Sequence, residues 1–152
     1  MSVDHHALVR ELTGILSRGD WSALSAVFAP AAVLEFPQSG EVFEGIDNIR
    51  GQFADYPDMP EGNVSAVDVA AEEPKYALSP GYTLISVGGS GGNATATLRA
   101  RYPDGSLWWV VVVYDTEGER VSRGKIYFAP EFEPAAWRSK YRVPMDRQGA
   151  SR

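Results

Sequence analysis

The stretch SLWWVVVVYDTEGERVSRGKIYF, residues 106–128, decides how the chain folds. A strand that covers a core on one side alternates apolar and polar residues, whereas every position from 108 to 114 is apolar. Both faces of this strand therefore need cover. TEGE breaks the run and residues 120–128 begin a second strand, so the pair reads as a long antiparallel hairpin. Alternation puts Trp108, Val110, Val112 and Tyr114 on one face and Trp109, Val111 and Val113 on the other.

Working outward, further strands are expected at 64–71, 82–87 and 94–102, separated by SPG, GGSGGN and PDG, all of them turn chemistry. The first half has a different period. Asp4 is a good N-cap, and Leu8, Leu12, Ile15 and Leu16 recur at helical spacing until Arg18-Gly19 stops the helix. Asp20 opens a second helix carrying Trp21, Leu24, Val27 and Phe28, which Ala29-Pro30 ends. AVLEF reads as a short strand, PQSGE as a turn, and a third helix after Gly45 aligns Ile46, Ile49 and Phe53. PEFEPAAWRSKY reads as a short terminal helix, and residues 143–152 as a frayed tail. Helices followed by strands predict one α+β domain over 1–152, with three N-terminal helices on one face of an antiparallel sheet. The far face of 108–114 would then stay open, and an apolar patch of that kind marks an interface. The expectation is a homodimer packed sheet to sheet.

Composition narrows the function. The chain has 152 residues, 44% hydrophobic and 22% charged, which suits one soluble globular core. No apolar run approaches the roughly 20 residues that cross a bilayer, and no export signal is visible at the N-terminus, so a cytoplasmic protein is expected. The absence of cysteine removes disulfides, thiol nucleophiles and thiolate metal sites. A net charge of −6 works against nucleic acid and anionic membranes, because that affinity comes from neutralising phosphates. Adjacent His5 and His6 lack the helical spacing of a metal pair and read as a solvated helix start, and GGSGGN lacks the lysine of a phosphate loop. No metal and no organic cofactor is expected.

The order of elements resembles the nuclear transport factor 2-like superfamily: three helices with a strand between the second and third, then a strongly curved sheet. RGDWSALSAVFAPAAVLEFP resembles its first helices and strand, FEGIDNIRGQF its third helix, and GERVSRGKIYFAP its last strand. The resemblance implies a cone-shaped α+β fold with a cavity between helices and sheet. It also implies where catalytic groups would sit. The base aspartate of ketosteroid isomerases falls on Phe36, their helix tyrosine on Leu12 and their oxyanion-stabilising aspartate on Val110. The acid/base aspartate of SnoaL-like cyclases falls on Ala129, and the glutamate of phenazine-type proteins near Ile126. Abstracting a proton next to a carbonyl needs a base and oxyanion donors, and these side chains supply neither.

The expected ligand-binding wall is Leu12, Phe36, Tyr56, Trp108, Val110, Tyr114, Ile126 and Phe128, with Trp109, Val111 and Val113 facing a partner. No catalytic residue is assigned. Glu35, next to Phe36, should point away from the cavity. Arg99 and Arg101 turn into the cavity if Tyr102 pairs with Leu107 and outward if the loop is longer; the outward direction is favoured because buried unpaired arginine is rare. Two functions follow. One is a SnoaL-like protein binding a hydrophobic cyclic or aromatic small molecule, with or without isomerase, cyclase or hydratase-type activity. The other is a non-enzymatic dimeric binding or assembly module whose cavity is filled core.

Overall fold

A computed structural model describes residues 2–55, 81–102 and 105–145. The expected strand at 64–71 and the candidate Tyr56 lie outside them. Helix α1 (His5–Arg18) starts where Asp4 accepts the Ala7 N–H at 3.0 Å and ends at Gly19, whose φ of 66° lets its N–H reach the Ile15 and Leu16 carbonyls. Its Leu8, Val9, Ile15 and Leu16 are buried, each burial stabilising the fold by about 1.5–3 kcal/mol.

The second segment departs from the expected helix. Trp21–Ala26 is a short 3-10 turn, and β1 (Phe28–Phe36) begins directly after Val27. The cause is tertiary: the Val121 N–H bonds the Val27 carbonyl at 2.7 Å, and Phe28 pairs with Val121, drawing the chain into the sheet before Pro30. A strand not anticipated, β2 (Glu41–Glu44), pairs antiparallel with β1. Helix α2 (Ile46–Ala54) follows Gly45 as expected and packs on β1 and the 3-10 turn.

The later strands are β3 (Gly81–Ser90), β4 (Asn93–Arg101), β5 (Leu107–Glu117) and β6 (Arg120–Pro130). The sheet order is β2-β1-β6-β5-β4-β3, all antiparallel except β1 with β6, so the sheet is mixed at one place. Register shifts in β1, β3 and the end of β5 bend it. GGSGGN makes a tight turn, with Ser90 paired to Asn93 and Gly91 at φ 61°. At Gly89 a Cβ would come within 2.5 Å of the Ala94 Cα, so only glycine fits there.

The helices cover one sheet face and the buried core lies between. β5 splits as its alternation requires, with Val110 and Tyr114 buried on the helix side. A second 3-10 turn, Ala136–Tyr141, follows the sheet with no buried residue. Among the described residues no helix is long and apolar enough to cross a membrane.

Candidate functional site

Between α1 and the sheet lies an apolar cavity. α1 contributes Leu8, Val9, Leu12 and Leu16, Phe53 of α2 closes one side, and the floor comes from β1, β4, β5 and β6. About 690 Å³ lies free of atoms between these walls, open mouth included, but the centre of a water molecule can move through only about 40 Å³ of it. The half-buried lining residues Leu12, Phe53, Val112 and Phe128 mark where the cavity meets solvent.

Five of the expected wall residues, Leu12, Val110, Tyr114, Ile126 and Phe128, meet in this lining. Phe36 stands just behind it, edge-on to Phe128 at 5.1 Å and to Phe43 at 4.9 Å between ring centres. Trp108 is placed differently. It packs against the core near the strand start, edge-on to Tyr102 at 5.7 Å, with its indole N–H donating to Ser106 Oγ at 2.9 Å, and it does not line the cavity. Gly124 does line it, and a Cβ there would press within 3.2 Å of Leu34 Cδ1.

Among the described lining residues only Tyr114 has a polar side-chain atom. Its hydroxyl lies 3.0 Å from His5 Nδ1, and His5 Nε2 lies 2.8 Å from the Gly91 carbonyl. His5 is therefore buried, not part of a solvated helix start. The signal was present in the spacing, since position 5 shares a helix face with Leu8 and Leu12. His6 stays exposed and accepts from Arg10 Nε at 3.1 Å. A carbonyl only accepts, so His5 Nε2 carries a proton; in the neutral ring Nδ1 is then the acceptor and Tyr114 donates to it. The phenol oxygen keeps one accepting lone pair. Burial pushes the Tyr114 phenol up to about 12, so it stays protonated across the physiological range.

The arginines lie on the opposite face. Tyr102 bonds the Ser106 carbonyl through its N–H at 3.0 Å and Arg101 pairs with Leu107, one residue away from the register that would have turned both arginines inward. Arg99 sits 5.5 Å over the Trp109 ring and pairs with Glu131 at 2.8 Å, both side chains largely buried. Part of the cover for the second face of β5 thus comes from the chain itself. Glu35 also points away from the cavity, to Arg123 at 3.0 Å. Among the described residues no group of three or more His, Asp or Glu is placed to hold a metal.

The sequence model of the SnoaL-like domain matches residues 9–124, which include all the cavity's described lining except Leu8, Ile126 and Phe128. The chain belongs to the SnoaL-like domain family. Solved structures share the fold at low identity. An NTF-2-like protein of unknown function from Burkholderia xenovorans is 20% identical, with 93% of this chain and 94% of that one covered at a TM-score of 0.72. A putative ketosteroid isomerase from Kribbella flavida is also 20% identical, with 92% and 90% covered at 0.70. An LEH-like epoxide hydrolase from M. tuberculosis is 13% identical, with 80% of each chain covered at 0.55. No curated protein matches. At these identities the likeness establishes the fold of this SnoaL-like chain and leaves its chemistry to its own residues.

Proposed function

We propose that this SnoaL-like protein binds a hydrophobic cyclic or aromatic small molecule in the cavity between α1 and the sheet. The observation that carries the reading is the lining itself: carbon on every described side except for one phenol already engaged by His5. Ligand sites are concave and mostly apolar with a few polar groups that orient the ligand. A ring enters by displacing Leu12, Phe53 and Phe128 at the mouth, since the space behind them is narrow.

Leu12, Phe36 and Val110 bring hydrocarbon to the places where isomerase relatives would carry acid or base, which supports binding over proton transfer. The narrowness supports a second reading, an assembly module in which the space is only core. Calorimetric titration with naphthalene and 2-naphthol separates them. Saturable binding at one site per chain, lost when Ala96→Leu fills the cavity, supports the ligand reading. No heat with either compound, from a chain whose thermal melt is cooperative, overturns it and leaves the filled core.

A further inference from the structure

Among the described residues seven large apolar side chains are exposed, and five of them lie between 132 and 145. Trp137 is 72% exposed, Tyr141 76% and Val143 85%. The interactions the structure shows for this segment are its own. Arg138 lies 5.4 Å over the Trp137 ring, Lys140 lies 5.0 Å over the Tyr141 ring, and Arg142 donates to the Ala135 carbonyl at 2.8 Å. An exposed apolar segment that is held in a turn but buries nothing fits an interaction element.

We infer that residues 132–145 form an arm that docks on a second copy of this chain, at the corner made by β2 and the start of α2. Charge complementarity selects that corner. Residues 132–145 carry Arg138, Lys140 and Arg142 against one acid, Glu133, in a chain whose net charge is −6. Residues 41–47 carry Glu41, Glu44 and Asp47, and since Asp47 is paired with Arg50 at 2.9 Å the two glutamates of β2 supply the negative charge. On the face of β2 that carries Glu44 stands Val42, 52% exposed, and it and Tyr127 are the exposed large apolar side chains outside the arm among the described residues. Among the described strands β2 is also an edge of the sheet, with a row of backbone groups that no other described strand takes.

The direction of the chain makes the recipient a second copy. After β6 the Glu131 N–H bonds the Leu107 carbonyl at 3.0 Å, and its carboxylate reaches Arg99 on β4. The arm therefore leaves toward β5 and β4, while its own β2 lies at the other edge. A two-fold axis that stacks the outer sheet faces and reverses their strand order brings the partner's β2 edge to the side where the arm runs. Every arm-to-corner contact then forms twice. The half-buried Val111 and Val113 and exposed Tyr127 lie on the stacked faces between the two docking sites.

Sedimentation equilibrium on the full chain tests this, independently of any ligand in the cavity. The expected result is a dimer at micromolar concentration, weakened at least about a hundredfold by Trp137→Ala with Tyr141→Ala, because buried aromatic anchors dominate interfaces. Glu41→Lys with Glu44→Lys weakens it too, and adding Arg138→Glu with Lys140→Glu to that variant restores it. All these side chains are on the surface, so melting of the monomer should not move. A monomeric wild type, a dimer indifferent to Trp137 and Tyr141, or a charge swap that fails to restore association each overturns the proposal.

Discussion

His5 and Tyr114 form a pair whose hydrogen-bond direction is fixed from outside the cavity. Gly91 holds the imidazole in one tautomer, the imidazole accepts the phenol's hydrogen bond, and the phenol oxygen is left to act as an acceptor. A ligand with a hydroxyl donor gains a bond there that a ligand with only an acceptor does not. We expect 2-naphthol to bind about two- to tenfold tighter than 2-methoxynaphthalene, the equivalent of one net hydrogen bond, and Tyr114→Phe to erase the difference. The same substitution leaves His5 Nδ1 buried without its donor and should cost about 1–3 kcal/mol in denaturant unfolding. Titration gives a separate check. The folded phenol ionises near 12 against a reference of 10.0, so the folded state holds this proton more tightly than the unfolded chain does. The resulting stability is intact below pH 10, falls as pH rises toward 12, and amounts to roughly 2 kcal/mol. Phenolate absorbance should accordingly show one tyrosine titrating after the rest. The sequence displays His5 on the apolar helix face, but the adjacent pair with His6 has the look of a solvated helix start.

At the level of elements, α1, α2 and the long hairpin were legible because local signals agreed with their packing. Asp4 and Gly19 bound α1 as caps should, and the alternation in β5 assigned Val110 and Tyr114 to the core side. The failures share a cause, which is that distant partners made the decision. Trp21, Leu24, Val27 and Phe28 have helical spacing, yet pairing with β6 takes Phe28 into β1. EVFE is four residues long with a glutamate at each end, and it is a strand because β1 lies beside it. The face of Arg99 depended on one residue of register at the PDG loop. That face now carries a testable load. Glu131→Gln removes the carboxylate charge beside a buried guanidinium and should cost about 3 kcal/mol in thermal or denaturant melts, with no direct effect on the cavity on the other side of the sheet. Gly89→Ala should also destabilise, since the β3–β4 hairpin has no space for a Cβ there.

For the whole molecule, the sheet has two uses. Its inner face and the helices enclose an apolar space, and its outer face is partly covered by Arg99 and Glu131 and partly left half-buried. The wall of the space could be read from the sequence at Leu12, Val110, Tyr114, Ile126 and Phe128, because the family resemblance implied a cavity and helix and strand periods put these residues on the side that faces it. Trp108 could not, since its ring turns to Tyr102 and Ser106 at the strand end. Under the proposed function, the space admits a ring. Methyl NMR of the full chain titrated with 2-naphthol tests it most directly. Saturable shifts are expected on Leu12, Val112 and Ile126, with exposed Val42 and Val143 unmoved. Shifts that never saturate, or that appear on Val42 and Val143 while the cavity methyls stay still, would contradict it.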